Sequence, residues 1–349
     1  MIYLMAPAPK ARVSGGFRVN EALRQRLTAT GTGVGIHADP EEVPAKIQSL
    51  PSTAPAHIVL DSLYLTDLNP ARLNHVLVNR DSPTRLYFLL HFLPCMNPSL
   101  SATTRKALQE KEHSLLTLAD GTLVPGSTLA DYLRNEALYT GAIYRCPPGI
   151  EFTELDTPPS DPWDKAPSPR LITVGTLSPS KGQLDILSHL QQLTPSFKGT
   201  WRLLGDLHTE PEVYCHFKRK LNNSGLKESI HLCHSVPHSH LGKLLTDADL
   251  LVSASRFESY GMAIAEAVAA GIPVLTYRVG ETPQWIKEGE NGFLIPVGDH
   301  KKFKSTLATL LHHPEELFLL KRQAQKIKEE IFLPTWEITF QCFLETFGE

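Results

Sequence analysis

The stretch Phe257-Glu-Ser-Tyr-Gly-Met-Ala-Ile-Ala-Glu-Ala-Val-Ala-Ala-Gly-Ile-Pro-Val-Leu275 follows a short apolar run at residues 250–253 and leads into another at 273–276. Gly271 suits a left-handed residue just past a helix, and Pro273 cannot continue one. The spacing predicts a helix over 260–270 between two parallel strands. The first N–H groups of such a helix have no partner within it, and its dipole turns a positive end outward. With Gly261 allowing close approach, this turn suits an anion, and diphosphate is the natural guest at the carboxyl edge of a parallel sheet. Two carboxylates flank it, Glu258 in the loop and Glu266 inside the helix. A fully helical spacing would set them about 12 Å and roughly 80° apart. That suits the two ends of an extended ligand better than a shared proton. A carboxylate accepts two hydrogen bonds from a vicinal diol, so Glu258 is assigned to sugar hydroxyls and Glu266 to ribose hydroxyls. Taken alone, each also reads as an ordinary helix-start or solvated carboxylate. For Glu266 that reading is weakened by the small apolar residues around it.

The same rhythm of short apolar runs and amphipathic stretches extends in both directions, the pattern of βαβ units. Strands are expected at 2–5, 33–37, 57–61, 85–91, 122–124 and 142–145, with the clearest helices at 18–28, 101–113 and 129–138. In the second half, strands are expected at 170–175, 200–204, 229–232, 250–253, 273–276 and 292–295, with helices at 181–190, 211–222, 240–247 and 260–270. Pro158, Pro159, Pro162, Pro167 and Pro169 block both helix and ladder and mark a linker. The expected organisation is an N-terminal Rossmann-like domain at 1–152, a Pro-rich linker at 153–169 and a second Rossmann-like domain at 170–333. A final helix at 334–349 carries Trp336, Phe340, Phe343 and Phe347, and either packs back on the first domain or caps the second.

Composition bounds the function. The 349 residues suffice for two domains with their own cores. With 34 Lys and Arg against 37 Asp and Glu, no basic surplus drives nucleic-acid binding, and neither half is a basic module. The five cysteines, Cys95, Cys146, Cys215, Cys233 and Cys342, form no C-x-x-C pair and read as reduced thiols. No apolar run approaches the roughly 20 residues of a membrane helix. The expectation is a cytoplasmic protein with at most peripheral contact with the inner face of a membrane. Its oligomeric state is not legible.

Together these residues resemble the E-x7-E signature of the family 4 retaining glycosyltransferases. The surrounding text agrees: Leu251-Val-Ser-Ala-Ser255, Glu258-Ser-Tyr-Gly261, Gly280-Glu-Thr-Pro-Gln284 and Glu290-Asn-Gly-Phe293. The likeness covers most of 171–299; the first half matches only in outline. It implies a GT-B fold, two doubly wound parallel-sheet domains facing a central cleft. It also implies transfer from a nucleotide-diphosphate sugar to a glycan, lipid or small-molecule hydroxyl, without cofactor or metal. By the same resemblance, Glu258 contacts the donor sugar, Glu266 the ribose, and amides of Ser259, Tyr260, Gly261 and Met262 the phosphates. Val236 lies in the loop expected near the base.

The segment from Gly175 to Gly182 looks like the family's phosphate loop, with Lys181 neutralising the departing phosphate. Thr176 stands where the family usually has Arg, which removes a charge-assisted pair from this site; Arg256 is a candidate substitute. Gln284 stands where Glu is common. In the first half, Gly15 and Gly16 look like the glycine loop that closes over the donor, with Arg12 or Arg18 adding charge. His91 looks like the histidine near the reacting centre, though a histidine at a strand end is commonly structural. The cluster His231, Cys233, His234, His238 and His240 invites a zinc reading, but strand alternation sends His231 and Cys233 to one face and His234 to the other. The catalytic candidates are therefore His91, Lys181 and Glu258. Closure about the 146–169 hinge would join the two halves, and the donor phosphate would take the acceptor proton. Two alternatives remain open: a nucleotide-sugar epimerase on the same fold, and a degenerate glycosyltransferase that only binds.

Overall fold

The computed structural model describes residues 1–8, 15–51, 55–80, 82–150, 169–193 and 196–348. Arg12 and residues 153–168 of the expected linker lie outside them. The chain divides into two units, 1–149 with 334–349, and 150–333.

In the first unit, apolar runs of four to six residues make the strands β1 (Ile2–Ala6), β2 (Gly33–His37), β3 (Ala56–Asp61), β4 (Thr84–Leu89), β5 (Gly121–Val124) and β6 (Ala142–Arg145). The crossovers carry α1 (Gly15–Thr30), α2 (Val43–Ser49), α3 (Pro70–Val78), α4 (Ala102–Leu116) and α5 (Ser127–Asn135). All pairs are parallel, in the order β2-β1-β3-β4-β5-β6. The central strands β1 and β3 are almost wholly buried, as expected when helices cover both faces.

The second unit repeats the plan with β7 (Arg170–Val174), α6 (Gln183–Gln192), β8 (Thr200–Leu204), α7 (Pro211–Asn222), β9 (Ile230–Cys233) and α8 (His238–Asp247). It continues with β10 (Leu250–Ser253), α9 (Met262–Ala269), β11 (Val274–Tyr277), α10 (Thr282–Trp285), β12 (Gly292–Ile295), α11 (His300–His312) and α12 (Pro314–Ile327). Its parallel sheet runs β12-β11-β10-β7-β8-β9. One face packs around Trp201, Phe217 and Phe303, the other around Ile172, Leu251 and the small side chains Ala265 and Ala267 of α9.

The last helix, α13 (Trp336–Glu345), belongs to the first unit. Phe343 is fully buried, Thr339 Oγ1 donates to Pro147 O at 2.8 Å, and the Phe347 ring meets Tyr87 edge-on at 4.9 Å.

Three expected boundaries are corrected. His91 does not end a strand: β4 stops at Leu89, and the His91 N–H turns aside to Ser62 Oγ at 3.1 Å. Lys181 does not begin a helix. It closes a 3-10 turn, Pro179–Lys181, and α6 starts after Gly182. The helix expected from residue 260 starts at Met262, because Gly261 holds φ at 107°.

Candidate nucleotide-sugar site

In the second unit, the loop after β7 and the loop after β10 are stitched together. The Arg256 N–H donates to Ser180 O at 2.8 Å, and Gly182 lies so close to Ala254 that a Cβ there would come within 2.2 Å of its carbonyl oxygen. Gly182 also holds φ at 68°, where L side chains are strained. The first loop is held from within by the buried Gln183, whose Nε2 donates to Thr176 O at 2.9 Å. This stitching brings Lys181 to Glu258: Nζ donates to Oε1 at 2.6 Å, with both side chains half-buried.

The other side of the Glu258 loop is pinned by residues 280–281. The Glu281 N–H donates to Tyr260 O at 2.9 Å, and a Cβ on Gly280 would sit 2.5 Å from that oxygen. Tyr260 is buried edge-on against Trp285 at 4.9 Å, and burial, reinforced by Glu281, pushes its phenol well above the usual range. The backbone from Ser259 to Met262 thus enters α9 along a fixed path, at the end where a helix turns its first N–H groups outward. Gly261 needs its positive φ, since nothing crowds a Cβ there more closely than Thr282 at 3.5 Å.

Glu266 sits one turn into α9 and is 3% exposed. Its Oε1 lies 3.1 Å from His238 Nε2, at the start of α8. The two carboxylates therefore face different basic partners, Lys181 for Glu258 and His238 for Glu266. His238 was among the residues weighed for zinc, and its place beside Glu266 is what the sequence reading missed. His234 stacks on His208 at 5.7 Å. No group of three or more His, Cys, Asp or Glu suited to a metal is found among the described residues. Val236 is half-buried beside this loop, against the α9 face of the core. Arg256 pairs with Asp185 of α6 at 2.9 Å.

In the first unit, the glycine pair and the histidine meet. Gly15 and Gly16 open α1, and a Cβ on Gly16 would lie 2.9 Å from His91 Cδ2. One turn on, Asn20 is buried with its Oδ1 2.9 Å from His91 Nε2. Asp61, fully buried at the end of β3, stands 3.3 Å from the same nitrogen and also accepts from Asn20 Nδ2 and the Leu63 N–H. Burial works to raise the Asp61 carboxyl, but His91 and these hydrogen bonds outweigh it and hold it below the usual carboxylate range. Asn20 and Asp61 were not singled out from sequence. The signals were available: Asn20 falls four residues after Gly16, on the same helix face, and Asp61 is a lone carboxylate ending the apolar run at 58–60. Arg18 instead lies over the Trp336 ring at 6.0 Å.

Residues 162–328 match the family of glycosyl transferases group 1. Curated relatives include N-acetyl-alpha-D-glucosaminyl L-malate synthase of Bacillus anthracis, 25% identical over 162 residues, covering 46% of this chain and 40% of that protein. The D-inositol 3-phosphate glycosyltransferase of Corynebacterium glutamicum is 34% identical over 105 residues, 30% of this chain and 24% of that one. The matched regions thus span less than half the length of these relatives. Among solved structures, sucrose-phosphate synthase from Thermosynechococcus elongatus aligns with a TM-score of 0.77 at 17% identity, covering 99% of this chain and 98% of that one. Anabaena HepE in complex with UDP-glucose aligns at 0.74 and 17% identity, covering 99% of both. The two parallel-sheet units have the GT-B fold, and the match to the glycosyl transferases group 1 family falls within the second.

Proposed function

We propose that this protein is a retaining glycosyltransferase of the family 4 type, moving a sugar from a nucleotide-diphosphate sugar to the hydroxyl of a glycan, lipid or small-molecule acceptor. The observation that carries the reading is the start of α9, flanked by two carboxylates that each face a separate basic side chain, Lys181 and His238. In this reading, the diphosphate lies at the amides of 259–262, where the helix dipole and Lys181 offset its charge. Glu258 exchanges its contact with Lys181 for hydroxyls of the donor sugar, leaving the ammonium to the phosphate. Glu266, steadied by His238, takes the ribose diol. The name of the D-inositol 3-phosphate glycosyltransferase agrees with sugar transfer, and the UDP-glucose held by HepE agrees with this class of donor.

The bond from the anomeric carbon to the phosphate oxygen breaks, and the acceptor oxygen bonds to that carbon from the same face. The departing phosphate takes the acceptor's proton, so neither a protein nucleophile nor a metal ion is needed. His91 orients the sugar and steadies charge in the transition state. The reaction is assigned to the cytoplasm.

Glu258→Ala should abolish transfer in an assay with nucleotide sugar and acceptor. Near-normal turnover of that variant, or a trapped covalent glycosyl–enzyme adduct, would refute the mechanism. Conversion of the donor to an epimer with no acceptor present would move the protein to the epimerase reading.

A further inference from the structure

We infer that Asp61 and Asn20 are positioning residues that fix His91 as the Nε2–H tautomer and leave Nδ1 as the nitrogen that meets substrate. This rests on the glycosyl transfer proposed above. Ionised Asp61 only accepts hydrogen bonds, and the Leu63 N–H donates to its Oδ1 while the Asn20 amide donates to its Oδ2. The Asn20 amide must therefore turn its NH2 toward Asp61, which fixes an orientation that is otherwise a free choice. The Asn20 carbonyl oxygen is then left facing His91 Nε2 at 2.9 Å. Two acceptors cannot hold that distance, so Nε2 carries the proton and donates it. Asp61 Oδ2, 3.3 Å from the same nitrogen, supports the assignment.

The ring cannot readily turn over to exchange its nitrogens. Gly16 lies against the Cδ2 edge, and the His91 backbone is tied to Ser62, the neighbour of Asp61. Nδ1 has no hydrogen-bond partner among the described residues, while the side chain keeps 14% of its surface exposed. When the ring is neutral, Nδ1 is the acceptor offered to substrate, and it takes a hydrogen bond from a sugar or acceptor hydroxyl. If the ring takes a proton during the reaction, the carboxylate behind it balances the charge. Three separate elements, α1, β3 and the loop after β4, converge on this one orientation.

The test is a long-range nitrogen–proton NMR spectrum of the whole protein labelled at histidine, at a pH where the imidazole is neutral. The His91 signals are assigned by their loss in His91→Gln. The expected pattern is a protonated Nε2 with an unprotonated Nδ1; an Nδ1–H pattern overturns the inference. In Asp61→Asn the new amide can donate or accept, so a mixture of tautomers is expected. With it, kcat should fall about tenfold or more, within the range of a positioned acid–base group, while KM for the donor stays within about twofold. A folded Asp61→Asn protein with one tautomer and unchanged kcat overturns the inference. Should that variant not fold, Asn20→Leu decides in the same way, since it removes the acceptor nearest Nε2. Absence of transfer by the unaltered protein with every donor counts against the proposed activity and leaves the spectrum as an independent reading of the tautomer.

Discussion

His189 in α6 is 7% exposed, and neither of its ring nitrogens has a hydrogen-bond partner among the described residues. It is packed near Phe303 and His300, with ring centroids 5.9 and 6.4 Å away. Burial lowers its pKa; Asp185 opposes this, while His300, Lys304 and Lys220 add to it. The unfolded chain takes up a proton below about pH 6.5 while the folded chain resists it. Stability is therefore lost as the pH falls through that ordinary value. His189→Leu should raise the melting temperature of the second unit, more at pH 5.5 than at pH 8. An equal or lower melting temperature at both would contradict this. Asp61 titrates with the usual carboxylate sign. Its lowered pKa supplies stability that is full above about pH 4 and is lost on further acidification. Asn20→Ala removes one of the bonds that hold it down, so the acid-unfolding midpoint of the first unit should rise; an unchanged midpoint would show that the Asn20 bond adds nothing.

At the scale of elements, the two loops that carry Lys181 and Glu258 depend on backbone that only glycine supplies. Gly182→Ala meets both a strained φ and a carbonyl oxygen 2.2 Å away, whereas Gly261→Ala meets strain alone. Strain of this kind costs about 1–3 kcal/mol, so the Gly182 variant should melt well below the Gly261 variant. The reverse order would show that the Gly182–Ala254 contact yields easily. Among the described residues all twelve strands were legible from the sequence; inner strands such as β1, β3 and β10 are buried on both faces and need no alternation. Their ends were not: the run through Phe92 stays apolar, but the ladder stops at Leu89, and side-chain character does not record that. Helices α2, α3, α10, α11 and α12 were not singled out. All but α11 carry proline in the first turn, at Pro44, Pro70, Pro283 and Pro314. Proline fits that position, where its missing N–H costs nothing, and α7, which starts at Pro211, was legible because its amphipathic run is longer than that of α2, α3 or α10. At the candidate site, Glu258, Glu266, Lys181 and Gly261 could be singled out from sequence because they share one loop–helix segment or its neighbour. The partners Asp61, Asn20 and His238 come from remote elements, and only the folded chain brings them together.

At the scale of the molecule, each unit has its own sheet, and α13 ties the end of the chain into the first. Phe343→Ala should cost about 3–5 kcal/mol, the loss for a buried aromatic. Hydrogen exchange should report the loss in β1–β6 and leave β7–β12 protected; equal loss in both sheets would contradict the division. Ligand bound to one unit adds to that unit's stability by mass action, so donor binding is to be sought in the second. The most direct measurement is a calorimetric titration of the protein, Lys181→Met and Glu266→Ala with a panel of nucleoside-diphosphate sugars. At least one donor should bind, and each substitution should weaken it roughly ten- to a hundredfold, as for the loss of one hydrogen bond to a charged group. Binding of no panel member, or equal affinity in all three proteins, would contradict it.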